Sequence, residues 1–341
     1  MPRIYIASDK PRSGKTSVAV SIATRLSASG NKAVLIKPIS IRDGSVKDDK
    51  DRDILRNANN DDAINSGDWP IMISSNIDDH TDQLDAGIKT VHQIDSSVFA
   101  VVEGLSGLTS DTGNASKNIA ENLDARVVVV LGYEESEIIG AALDAQSLFG
   151  DRLCGVIING VTRYKVREAK QVILPKIESE GITVLAMIPE DRKLLGTTVS
   201  ELAEHLNGEI ISWKEKGDNF VDNYLIGGMV LDWGVLYFER HLNKAVIVRG
   251  DRPDIQMAAL QTETSCLVLT GGHDPIQYVE YEAQEEEVPI IKVDADTINT
   301  TIALESLQKK SVFGHPIKRK QFDELIDDNG YGDLVESLIS I

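Results

Sequence analysis

Apolar residues in this chain gather into short uninterrupted runs separated by stretches of helical periodicity. The runs are Ile4-Tyr5-Ile6-Ala7, Ala33-Val34-Leu35-Ile36, Val98-Phe99-Ala100-Val101-Val102, Val127-Val128-Val129-Val130-Leu131, Gly155-Val156-Ile157-Ile158 and Val184-Leu185-Ala186-Met187-Ile188. A strand covered on both faces has no polar side to show, so each run predicts a buried strand of a parallel sheet. Between the first two, Val18, Ile22 and Leu26 recur at helical spacing, which predicts the crossover helix that parallel neighbours need. Further helices are predicted from about Ser136 to Leu148 and, after the fifth run, to about residue 180. This alternation predicts a doubly wound, mainly parallel α/β sheet over residues 1–195.

The pattern loosens after Thr197. A short helix from Thr198 to Leu206, a polar link from Lys214 to Asn219, and a helix ending near His241 precede the strand runs Ala245-Val246-Ile247-Val248, Cys266-Leu267-Val268-Leu269 and Pro289-Ile290-Ile291-Lys292-Val293; Asp254 to Leu260 reads as helical. Residues 196–310 therefore read as a smaller α/β domain, and residues 311–341, with Lys318-Arg319-Lys320, as a helical tail for packing or oligomerisation. Residues 39–97 are polar, rich in Asp and Asn, and without clean periodicity.

Composition narrows the function classes. The 341 residues carry 54 acidic against 35 basic side chains, a formal charge of −19. A nucleic-acid surface needs clustered Lys and Arg, so nucleic acid and anionic membranes are not expected partners. No apolar run approaches the ~18 residues that span a bilayer, and the N-terminus enters a strand without a leader pattern, so a cytoplasmic location is expected. The two cysteines, Cys154 and Cys266, sit beside apolar runs and read as small core residues.

The chemistry is concentrated after the first strand, where Ser8-Asp9-Lys10-Pro11-Arg12-Ser13-Gly14-Lys15-Thr16-Ser17 leads into the first helix. Gly14 lets backbone N–H groups approach a phosphate, Lys15 supplies a charge for the outer phosphates, and the Thr16 hydroxyl suits a magnesium ion. Asp9 stands where such loops ordinarily carry their first glycine, and a turn that keeps its lysine without binding nucleotide is the plain structural alternative. Lys37 and Glu103, each ending a strand, point to the same crevice. Glu103 reads either as a magnesium ligand or as the partner of a lysine. Asp48, Asp49, Asp51 and Asp53 read as a solvated acidic stretch, with metal or substrate binding as the functional alternative.

Gly14-Lys15-Thr16, Lys37-Pro38, Val102-Glu103-Gly104, Asn159 and Ile188-Pro189 occur in the order that marks the dethiobiotin-synthetase-like branch of P-loop proteins, and the first domain resembles that branch. Ile226-Gly227-Gly228-Met229, Gly250-Asp251-Arg252-Pro253-Asp254 and Leu269-Thr270-Gly271-Gly272 give the second a resemblance to the DRTGG domain. Together they resemble the N-terminal region of long phosphate acetyltransferases, whose acetyltransferase domain would follow. The resemblance implies ATP and Mg2+ as cofactors. It assigns Lys10, Ser13, Gly14, Lys15, Thr16, Ser17 and Asn159 to the nucleotide, with Asn159 facing adenine. Thr16, Asp53 and Glu103 go to the metal, and Lys15 and Lys37 are the residues for any phosphoryl chemistry.

Three functions follow as expectations. One is a regulatory nucleotide-binding module acting on a partner enzyme of acyl or acetyl-phosphate metabolism, as a homo-oligomer. Another is an ATP-dependent ligase or carboxylase, or a weak ATPase, without phosphate acetyltransferase activity of its own. The last is a scaffold with a vestigial loop. In the second domain Asp251-Arg252 and Thr270-Gly271-Gly272 read either as a small anion site with exposed amides or as an internal ion pair and a turn.

Overall fold

The computed structural model describes residues 3–41, 51–59, 67, 69–228, 231–307, 310–330 and 334–339. Asp48, Asp49 and Met229 lie outside them. The chain forms two compact units, one of residues 1–191 with 319–341, the other of residues 192–318.

In the first unit, strands β1 (Arg3–Ser8), β2 (Ala33–Ile36), β5 (Phe99–Ser106), β6 (Arg126–Gly132), β7 (Leu153–Val161) and β8 (Val184–Pro189) pair in the order β2-β5-β1-β6-β7-β8, all parallel. They coincide with the six apolar runs, because burial on both faces removes any reason for alternation. Among the described residues two short strands within the polar stretch, β3 (Ile39–Ile41) and β4 (Ile71–Ile73), form a separate parallel pair.

Helix α1 (Lys15–Ala28) crosses from β1 to β2 and buries Val18, Ile22 and Leu26 completely; full burial of each such side chain stabilises by about 2 kcal/mol. Helices α2 (Asp51–Ala58), α3 (Thr81–His92), α4 (Ser110–Asn122) and α5 (Ile138–Phe149) join the remaining strands. The helix expected to run unbroken to about residue 180 is instead interrupted by a π-helical turn, Ala169–Ile173, before α6 (Leu174–Ser179). Such turns widen the helix by one residue and leave no mark in apolar spacing.

The predicted tail divides. From Arg319 onward it folds with the first unit: Asp323 and Asp327 of the helix Pro316–Asn329 take Arg25 of α1, and Leu338 accepts a hydrogen bond from Arg126.

The second unit is built on a five-stranded sheet, β10-β15-β14-β13-β12, with β10 (Glu209–Ser212) antiparallel to β15 (Ile290–Val293) and the other neighbours parallel. Strands β12 (Asn223–Ile226), β13 (Lys244–Arg249) and β14 (Cys266–Thr270) complete it. Along β13, Val246 and Val248 pack into one core and Ala245 and Ile247 into another, as side chains pointing alternately to opposite faces must. β10 (Glu209-Ile210-Ile211-Ser212) and β12 (Asn223-Tyr224-Leu225-Ile226) were not legible as strands because they are mostly half-exposed and carry polar residues at one or both ends, leaving no long uninterrupted apolar run.

Candidate functional site: the β1–α1 loop and its neighbours

β1 sends the chain across to β2, whereas β6 sends it the other way to β7, so their carboxyl ends flank the point where the winding reverses. Ligand crevices of open α/β sheets open at such points. The loop after β1 lies there. Gly14 adopts φ +96° ahead of α1, and its carbonyl takes the first helical bond from Val18 N–H at 3.1 Å. A Cβ on Gly14 would stand 2.3 Å from Asn159 Nδ2, so glycine is needed for both backbone angle and space.

Register explains where Lys15 goes. Ser8 of β1 pairs with Ser106 of β5, and the Lys15 ammonium donates to both hydroxyls, to Ser8 Oγ at 3.3 Å and to Ser106 Oγ. It is thus held over the ends of two adjacent strands. Thr16 and Ser17 follow in the first turn of α1, partly exposed, where the first amides of a helix have no partner within it. Lys10 reaches Glu134 at 2.9 Å, and this carboxylate holds the ammonium above its ordinary pKa.

Lys37 and Glu103 are brought together by the pairing of Ile36 with Val102, one residue earlier on each strand. Lys37 Nζ lies 3.2 Å from Glu103 Oε1 and 3.2 Å from Asp51 Oδ2. Glu103 is only 2% exposed, and a carboxylate so placed requires compensating charge. Of the acidic stretch, Asp51 therefore faces the site and Asp53 is exposed on α2. Asn159, expected to face adenine, donates from Nδ2 to the Ser13 carbonyl at 2.9 Å and ties the end of β7 to the loop.

The oxygen groups available to a metal near the loop are the Thr16 hydroxyl, in the first turn of α1, and the carboxylates of Glu103 and Asp51, which meet at Lys37. Hard oxygen ligands fit magnesium, which commonly takes one or two protein groups and fills its shell with phosphate oxygens and water. Among the described residues no three His, Cys, Asp or Glu side chains cluster where they could hold a metal ion.

Sequence reasoning missed the contacts of Ser8, Ser106 and Glu134, which depend on strand register and on the loop after β6, and it named Asp51 only as one of four acids until its pairing with Lys37 singled it out. It also left Asp9 as a departure, although the structure makes it the centre of the loop: its Oδ1 accepts from Lys10 N–H, Ser13 Oγ and Gly132 N–H.

In the second unit the residues read either as an anion site or as an internal ion pair and a turn make the contacts of the latter. Gly271 N–H donates to Ala295 and Gly272 N–H to Val293, each at 2.9 Å, so these amides are occupied. Arg252 forms a bidentate pair with Asp254 at 2.9 and 2.8 Å.

Comparison with known proteins agrees with this construction. An AAA domain family model matches residues 2–198 and a DRTGG domain model residues 201–307. The chain is 24% identical to a phosphate acetyltransferase of Salmonella typhimurium, over 95% of its own length and 51% of the relative's. It is 24% identical to one of Synechocystis over 63% and 33% respectively. It thus spans a third to a half of the relatives it matches. A solved structure of the cell division protein MinD from Aquifex aeolicus is similar at 16% identity over 57% of this chain and 84% of that one, with a TM-score of 0.37. Among the described residues no helix is long and apolar enough to cross a membrane. The chain belongs to the AAA domain family, with a dethiobiotin synthetase-like P-loop domain followed by a DRTGG domain and low-identity similarity to phosphate acetyltransferases.

Proposed function

We propose that this chain is a nucleotide-binding regulatory protein that takes ATP with Mg2+ at residues 13–17 and passes that state, through its DRTGG domain, to an enzyme of acyl or acetyl-phosphate metabolism. The observation that carries the reading is Lys15, whose ammonium is held by Ser8 and Ser106 at the mouth of the sheet, beside the amino end of α1. There it supplies positive charge to the outer phosphates, while the first amides of α1 cradle them. Thr16, Glu103 and Asp51 would hold the magnesium, which when bound neutralises charge between the phosphates. The partner class rests on the similarity to phosphate acetyltransferases.

The ligase alternative asks Lys37 to address a second substrate. Its ammonium is paired with the same Glu103 and Asp51 that would hold the metal, and it is the appended DRTGG domain that favours the regulatory reading.

Isothermal titration of the whole folded chain with ATP, in magnesium and again in EDTA, tests the proposal. A saturable, magnesium-dependent heat is expected. No heat under either condition, with the protein folded, would sink it.

A further inference from the structure

We propose that Asp9 is a positioning residue that holds the loop in its binding shape before any nucleotide arrives, replacing with a carboxylate bracket what a first glycine ordinarily provides by backbone freedom. The inference rests on the nucleotide-binding reading and deepens it.

The bracket has several parts. Asp9 N–H continues the β1–β6 pairing by donating to Val130 O at 3.3 Å, which sets the side chain beside the end of β6. A single oxygen, Oδ1, then accepts Lys10 N–H at 2.8 Å, Ser13 Oγ–H at 2.6 Å and Gly132 N–H at 3.1 Å. Those donors come from the start of the loop, its end and the neighbouring strand, so one carboxylate fixes all three. Ser13 Oγ also lies 2.8 Å from Lys10 O, a second acceptor for its single hydroxyl proton that keeps the turn closed whichever of the two it faces.

The neighbouring strand is shaped to receive the loop. A Cβ on Gly132 would come 2.9 Å from Lys10 Cε and 3.1 Å from Ser13 Oγ, so the loop packs closely against this strand end, and a larger residue at 132 would make Lys10 and Ser13 give way by a few tenths of an ångström. Arg12 sits within the bracket at φ +64°, a left-handed conformation that a side chain adopts only when its surroundings impose it. A carboxylate near a phosphate site would ordinarily repel the ligand. Here three donors disperse its charge, and Glu134 draws Lys10 to the same rim. A loop already shaped does not lose further conformational freedom on binding, and its affinity rises accordingly.

The test uses the whole chain with Asp9→Gly and Asp9→Asn. Hydrogen exchange of the backbone over residues 9–17 and 130–134 is measured without nucleotide, and Mg-ATP affinity by calorimetry. Asp9→Gly, which restores the common loop residue, should speed exchange in both segments and weaken Mg-ATP about tenfold, ~1.4 kcal/mol. Asp9→Asn keeps an acceptor oxygen and should rescue binding to within about threefold of wild type. If Asp9→Gly does not fold, Ser13→Ala removes one donor and should give the same changes at about threefold. Unchanged exchange and affinity in Asp9→Gly, or an Asp9→Asn as damaged as Asp9→Gly, would overturn the inference. Should wild type bind no nucleotide while Asp9→Gly still loosens the loop, the functional reading fails and the bracket stands.

Discussion

Lys37 Nζ lies 3.2 Å from Glu103 Oε1, joining the ends of two neighbouring strands, with the carboxylate 2% exposed and the lysine side chain 11%. Removing one member of a buried pair strands the other's charge. Lys37→Met should therefore cost about 3 kcal/mol in urea unfolding, and Mg2+ should recover part of that loss by taking over the charge of Glu103 and Asp51. A neutral Lys37→Met, or one indifferent to Mg2+, would contradict the role given to this pair.

The glycine after Glu103 is there for Tyr5. A Cβ on Gly104 would stand 2.2 Å from Tyr5 Cζ, and that ring is fixed because its hydroxyl accepts from Leu105 N–H at 3.1 Å and meets Ser116 Oγ at 3.1 Å. Burial pushes the Tyr5 phenol up to about 12. Gly104→Ala should destabilise by about 3 kcal/mol through overpacking, and the penalty should vanish in a Tyr5→Val background. Additive losses in the double variant would show that the clash is not the cause.

A pH dependence is expected from Lys318. This lysine is 1% exposed, donating to Ser311 Oγ at 2.6 Å and Val312 O at 2.7 Å, and burial pushes it down from 10.5 to about 8. Between those two values the unfolded chain holds the proton that the folded chain has lost, so this group makes stability rise with pH; below about 8 its burial cost is fully present. Lys318→Met should be more stable than wild type at pH 7, with the advantage shrinking towards pH 10. A difference independent of pH, measured by urea unfolding, would contradict this.

The sheet was readable in the chain because a strand such as Val127 to Leu131, buried on both faces, cannot hide its character. The site was readable only in part. Gly14, Lys15 and Thr16 are contiguous and announce themselves, but Ser8 meets Ser106 through strand register, and no local pattern encodes that. Asp51 and Asp53 differ by two positions on one helix, and only the packed helix decides which faces Lys37. Asp9 reads as a departure because its role appears only when the loop folds back on it and Gly132 of β6 is brought alongside. In the second unit Gly271 and Gly272 resembled open amides until β15 and the residues after it took them up.

The central claim, that the β1–α1 loop binds nucleotide through Lys15, is tested most directly by titrating Mg-ATP into wild type and Lys15→Ala at matched folded fraction. The account predicts saturable binding to wild type and at least about 100-fold weaker binding to Lys15→Ala, since a charge-assisted contact to phosphate is lost. Equal affinity in the two proteins would contradict it.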